Sequence, residues 1–271
     1  MGLLDGKVAF VTGAARGQGR SHAVRLAREG AKIIAVDVAG PVSPANVYPA
    51  ATSQDLDETV RLVEAEDQPI HARQADVRDS GALVAVLADG VAEFGGRLDV
   101  VVANAGISNW SRFWEMPDEQ WQTVIDVNLT GVWRTLKAAV PHMIEAGNGG
   151  SIITVSSVAG IKSLPAQAHY SAAKHGVVGL TKAAAIELGE FRIRVNSVHP
   201  WGVATPMSED PTIHKVLADH PSYAASFASL LPDLPIADSD DISDAVVWLA
   251  SDLSRSVTAT QLTLDMGATK V

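Results

Sequence analysis

"KVAFVTGAARGQG", residues 7 to 19, carries an apolar, β-branched run straight into a turn holding Gly13, Gly17 and Gly19. The amphipathic, Ala-containing stretch at about 18 to 29 follows at once, so the spacing predicts strand, tight turn and helix in immediate succession. The same alternation continues along the chain. Short runs recur at "KIIAVD" (32 to 37), "IHARQAD" (70 to 76), "LDVVVANA" (98 to 105), "GSIITVSS" (150 to 157), "IRVNSVH" (193 to 199) and "LTLD" (262 to 265). Helices are expected between them at about 54 to 66, 80 to 94, 118 to 146, 168 to 189 and 239 to 251. Near-continuous apolar strands separated by helices imply a parallel sheet covered on both faces.

With 271 residues, 47% of them apolar and 19% charged, the chain has the length and core of one large domain. The expectation is a single α/β domain over residues 1 to 271, a Rossmann-type doubly wound parallel sheet of about seven strands with helices on both faces. Two segments break the rhythm. Residues 38 to 53, "VAGPVSPANVYPAATS", form an insertion loop, and residues 202 to 235, rich in Pro and Ser, form a substrate loop or lid. No apolar run reaches the roughly 18 to 20 residues of a membrane span. The start "MGLLDGKVAF" lacks the layout of a secretory signal, and Gly6 stands where myristoylation wants Ser or Thr, so a cytoplasmic protein is expected. The absence of cysteine excludes disulfides and thiolate chemistry, and the eight histidines lack metal-ligand spacing, so no metal is expected. A formal charge of −10 argues against nucleic acid as a partner.

A glycine-rich turn between strand and helix lets backbone approach a pyrophosphate, whose charge then sits on the helix N-terminus. Arg16 and Gln18 belong to that turn, and Asp37 closes the second strand about 20 residues on, where a carboxylate accepts ribose hydroxyls. Asp37 repels a 2′-phosphate whereas Arg16 attracts one; carboxylate against phosphate is the larger effect at contact, so NAD is expected over NADP. The spacing Gly-x-x-x-Gly-x-Gly resembles that of the short-chain dehydrogenases/reductases, and the resemblance runs over nearly the whole chain. "ADV" (Ala75, Asp76, Val77) is similar to their adenine-contacting segment, "ANAG" (Ala103, Asn104, Ala105, Gly106) to their fourth-strand motif, and "YSAAK" (Tyr170 to Lys174) to their active site. Ala103 departs from the more usual Asn, a change that touches packing more than chemistry.

On a helix, Tyr170 and Lys174 share one face. An ammonium a few ångströms away, like the positive ring of an oxidised nicotinamide, favours phenolate and makes Tyr170 a proton acceptor. Ser157, 13 residues earlier in "VSSVAG", is placed to hydrogen-bond the same substrate oxygen; Ser156 is its neighbouring alternative. The resemblance implies that Ser157, Tyr170 and Lys174 are catalytic, that Lys174 also holds the nicotinamide ribose, and that Asn128 in "DVNLTG" supports a proton-carrying water chain. Asn128 also has a bland reading as a mid-helix residue bonded back to its own helix. His169 and His175 face away from the pair and read as structural.

The resemblance further assigns Pro200, Val203 and Thr205 in "HPWGVATPMS" to the nicotinamide end, with Trp201 where the family has glycine. Trp110, Phe113, Trp114 and Met207 form, with Trp201, an expected apolar rim for a small hydrophobic alcohol or ketone, terpene-like or steroid-like; core or interface packing is the competing reading of each. The helices at 118 to 146 and 168 to 189 and the terminal "LDMGATKV" resemble surfaces on which the family forms homotetramers. The insertion at 38 to 53 begins beside Asp37, over the adenosine half of the cofactor, and offers Val42, Val47 and Tyr48 to bury. It resembles the carveol-dehydrogenase-like branch linked to mycofactocin, which implies trapped NAD and an external redox acceptor. The expected activity is hydride transfer between a secondary alcohol and NAD. A non-catalytic dinucleotide sensor and an NADP-dependent carbonyl reductase are the alternatives.

Overall fold

Every residue of β1 (Val8–Thr12) is buried, which is the signature of a strand with helices above and below it. β2 (Lys32–Asp37) pairs with one edge of β1 and β4 (Val100–Ala103) with the other, both parallel. β3 (Ile70–Gln74) lies outside β2, and β5 (Gly150–Val155), β6 (Ile193–Pro200) and β7 (Gln261–Leu264) continue beyond β4. The resulting seven-stranded order is β3-β2-β1-β4-β5-β6-β7. The chain leaves β1 toward one edge and β4 toward the other, so a crevice opens above their carboxyl ends. These features are described from a computed structural model for residues 2–231 and 233–271. Met1 and Pro232, the latter within the expected 202–235 loop, lie outside the described residues.

Alternate residues of each strand feed opposite layers. Ile34, Val101 and Ile152 pack beneath α3 (Ser80–Glu93), α5 (Gly131–Ala146) and α6 (Ala168–Leu188). Their neighbours Ile33, Val102 and Ile153 face α1 (Gly17–Arg28) and α8 (Ser239–Ala250). α2 (Ser53–Glu64) starts on a capping box in which Thr52 and Asp55 satisfy one another's backbone amides, so the insertion ends at Thr52 rather than Ser53.

Two segments differ from the sequence expectation. The helix expected over 118 to 146 is α4 (Asp118–Ile125) and α5 separated by a π turn, Asp126–Thr130. Such wide turns give no hydrophobic periodicity of their own, and this one carries Asn128. Within 202 to 235 the chain forms α7 (Thr212–Asp219) and two 3₁₀ segments, Pro206–Glu209 and Pro221–Phe227. Flanking prolines and short length hid them from a periodicity argument.

At the amino edge of the sheet, buried Asp99 accepts from the Val8 amide at 2.9 Å and from Arg97 Nε at 2.6 Å. Replacing Asp99 by Leu leaves the Val8 donor buried without a partner and costs about 1–3 kcal/mol. A lowered urea midpoint with an unchanged slope is the expected result; a parent-like midpoint would show that the clamp contributes nothing.

Candidate active site

The turn after β1 has room for backbone only. A Cβ on Gly19 would come within 1.9 Å of the Gly13 carbonyl oxygen, and one on Gly13 within 2.8 Å of Ala105 Cα. Gly13 and Gly17 also have φ of +70° and +54°, conformations that favour glycine. Asp37 accepts from the Ala15 amide at 3.0 Å and the Ala39 amide at 2.8 Å, so the carboxylate organises the turn and the start of the insertion. Each of its oxygens keeps a lone pair for a further donor. Asp76 is held by Arg78 at 2.6 Å, beside Val77 at the end of β3.

Residues 104–107 connect this turn to the reacting end. Asn104 Nδ2 donates to the Thr12 carbonyl at 2.9 Å, while Thr12 Oγ1 accepts from the amides of Asn104 and Ala105, each at 3.1 Å. Two residues on, Asn128 takes hold of Ile107 from both sides, donating to its carbonyl at 2.7 Å and accepting from its amide at 2.8 Å. Asn128 therefore spends its side chain on the backbone that follows β4, and the bland reading of a residue bonded back to its own helix does not describe it.

Ser157 follows β5, and its hydroxyl accepts from the Ala159 amide at 3.1 Å. Ser156 donates to the Lys174 carbonyl at 3.0 Å, an anchor for α6. Lys174 Nζ donates to the Val155 carbonyl at 2.7 Å and sits 5.4 Å from the centre of the Tyr170 ring. Burial governs both titratable groups: it pushes the Tyr170 phenol up to about 12, with the neighbouring Ser157 hydroxyl pulling the other way, and the Lys174 amine down to about 8. In the cofactor-free protein desolvation of the phenol is the leading effect on Tyr170. His199 Nδ1 donates to the Ser157 carbonyl at 2.8 Å, and burial lowers the pKa of the ring.

Gly13, Asp37, Asp76, Ser157, Tyr170 and Lys174 line one cavity of about 700 Å³. Arg16, Gly17, Gln18, Gly19, Val77, Asn104, Ala105 and Gly106 border its turn side, and Pro200, Val203 and Thr205 its far end. Trp110, Trp201 and Met207 join them, with Phe227 between the two tryptophans at 6.0 Å from each ring. Trp114 is corrected: it is 60% exposed, edge-to-face with Phe113 and covered by Arg112 outside the cavity. Phe113 goes with it, 69% exposed. Asn128 lies just behind the cavity wall, fully buried. Phe227, Ile213 and Leu164 line the cavity without having been expected there, the first two because α7 and its neighbouring 3₁₀ turn fold over the mouth, while Val42 and Tyr48 of the insertion line it as expected.

The cradle fits a dinucleotide on three observations: the turn has no space for side chains, a carboxylate stands at the β2 end, and the Gln18 Oε1 acceptor is buried without a partner. Residues 7–215 match the family model described as short chain dehydrogenase. The chain belongs to that family. It is 58% identical to an uncharacterised NAD-dependent oxidoreductase of Mycobacterium tuberculosis, over 99% of this chain and 98% of the relative. It is 43% identical to the (−)-trans-carveol dehydrogenase of Rhodococcus erythropolis, over 99% of each. A short-chain dehydrogenase of Mycobacterium paratuberculosis crystallised with NAD superposes with a TM-score of 0.96 at 49% identity over the whole of both chains. The protein is an NAD-dependent oxidoreductase of this family, similar to carveol dehydrogenase, and the dinucleotide-sensor alternative falls away. Among the described residues no helix is long and apolar enough to cross a membrane.

The buried amine has a consequence for stability. The folded pKa of Lys174 lies near 8 and its ordinary value is 10.5, so the unfolded chain binds more protons between those limits and stability rises with pH across them. Tyr170 acts oppositely only above about 10, where its phenol would ionise in the unfolded chain. Between pH 8 and 10 the cofactor-free protein should gain on the order of 2 kcal/mol from this group. Urea titrations of the parent and of Lys174→Met test it; equal slopes with pH in the two proteins would refute the assignment.

Proposed function

We propose that this enzyme interconverts a hydrophobic secondary alcohol of terpene-like or steroid-like kind and its ketone, using NAD that it holds tightly. The observation that carries the reading is the meeting of Ser157, Tyr170 and Lys174 in a cavity whose one end is the glycine cradle and whose other is walled by Trp110, Trp201 and Phe227. The carveol dehydrogenase relative supports the substrate class.

Ser157 donates to the substrate oxygen and orients it. Tyr170, half-buried on the cavity wall, takes the hydroxyl proton in oxidation and returns it in reduction. Lys174, anchored on the Val155 carbonyl, lies behind the phenol and beside Gly106, where it would hold the nicotinamide ribose. Asn128 keeps the Ile107 backbone in place. When bound, NAD supplies the hydride acceptor and a positive ring that favours the phenolate burial opposes. Gly13, Gly17 and Gly19 would receive its pyrophosphate, Asp37 its adenosine ribose, and Pro200, Val203 and Thr205 its carboxamide end.

NAD over NADP is supported from a second side. The Arg16 guanidinium donates to the Pro49 carbonyl, so the cation that could welcome a 2′-phosphate is engaged by the insertion. The same contact ties the insertion to the cradle, while Asn46 and Tyr48 reach Asn109 and Ser108 on the opposite side. A strap anchored on both walls supports retention of NAD and, with the resemblance to the mycofactocin-linked branch, reoxidation by an external acceptor. A homotetramer in the cytoplasm completes the proposal.

Reduced-nicotinamide absorbance with (−)-trans-carveol and a panel of hydrophobic secondary alcohols tests the reaction. Tyr170→Phe should keep the fold and NAD binding and lose turnover by on the order of a thousandfold; turnover within a few-fold of the parent would sink the role. Desalted protein, once denatured, should release NAD into the supernatant. Empty sites together with rapid multiple turnover on free NAD would reduce the insertion to an ordinary surface loop.

A further inference from the structure

Asn109 is almost wholly buried and makes three side-chain hydrogen bonds, to three different parts of the molecule. The direction of each follows from one unambiguous donor. Tyr170 is the third residue of α6, so its amide has no partner within the helix. That amide donates to Nδ1 of His169 at 2.8 Å, which leaves Nδ1 without a proton. Burial holds the imidazole neutral, pushing it down to about 4, so the ring proton sits on Nε2. Nε2 donates to Asn109 Oδ1 at 2.6 Å, and that oxygen also accepts from Gln120 Nε2 at 2.6 Å. Asn109 must then present its amine outward, and it donates to Asn46 Oδ1 of the insertion at 2.9 Å. A second line runs in parallel. The Ser108 amide donates to the Tyr48 hydroxyl oxygen at 3.2 Å, and Gln167, at the head of α6, donates to Ser108 Oγ at 2.7 Å.

We infer that Asn109 and His169 are positioning residues that couple the insertion to the amino end of α6, so that closure of residues 38–52 over the crevice also sets the backbone of Tyr170. His169, structural on the sequence alone, is the middle of a directed chain with no free choice of proton. The inference rests on the reading of Tyr170 as the proton-handling residue, and its test is kept independent of turnover. Coupling of this kind needs a physical chain with two arrangements, and the insertion with its anchors made or broken supplies them.

The chain's polarity makes the test specific, because position 46 needs only an acceptor. Hydrogen–deuterium exchange followed by mass spectrometry on the full-length protein, saturated with NAD, compares the parent with Asn46→Leu and Asn46→Asp. Asn46→Leu should speed exchange about five- to tenfold, the worth of one buried hydrogen bond, in the insertion and also in the segment around Tyr170. Asn46→Asp, which keeps the acceptor, should stay within about twofold of the parent in both segments. Exchange that rises in the insertion alone, rises equally in the two variants, or rises in neither would overturn the coupling. None of these outcomes depends on the alcohol chosen or on activity, so failure here and failure of the proposed reaction are separately visible.

Discussion

The structure depends on the close approach of two stretches of backbone at the carboxyl ends of β1 and β4. Gly19 lies against the carbonyl of Gly13, and Gly13 against Ala105, at distances that exclude a side chain. Closed packing there lets Asn104 bond across to Thr12 and brings residues 104–107 alongside the cradle. Asn128 then grips Ile107 from the other direction. One four-residue segment thus registers the cofactor turn against the π turn at Asp126–Thr130. A shift in either wall is transmitted to the other, because interiors at close-packed density deform little.

Tyr170 and Lys174 sit in an environment that disfavours charge on both of them. Burial raises the phenol and lowers the amine, and each effect stabilises the neutral form. The carbonyl of Val155 holds the amine in place by a hydrogen bond that does not need the charge. A positive group bound beside Tyr170 would offset the desolvation of its phenolate.

The parallel sheet and the cavity's central residues were legible because each leaves a patterned or fixed-spacing signal. Near-continuous apolar runs marked the strands, and the four-residue spacing of Tyr170 and Lys174 marked a shared helix face. Single polar residues leave no such trace. Asn109 and His169 act through contacts about 60 positions apart in the chain, and only the folded arrangement brings them together. Rim residues were misjudged for a related reason. Trp114 and Val47 are apolar and lie near the right places, yet the path of an irregular segment decides which side chains turn inward, and Val47 is 56% exposed. The π turn at Asp126–Thr130 interrupts a sequence that reads as one continuous helix.

The insertion carries these ideas to their energetic end. A long loop costs little more to close than a short one, since closure entropy grows with the logarithm of length. Pro41, Pro44 and Pro49 reduce that cost further by limiting the open ensemble. Three bonds cross to the walls, from Arg16, Ser108 and Asn109, and at about 1 kcal/mol each they hold the strap by a few kcal/mol. A dinucleotide in contact with the strap would add its binding free energy to the closed form alone, so anchors this weak would be reinforced by the ligand they cover.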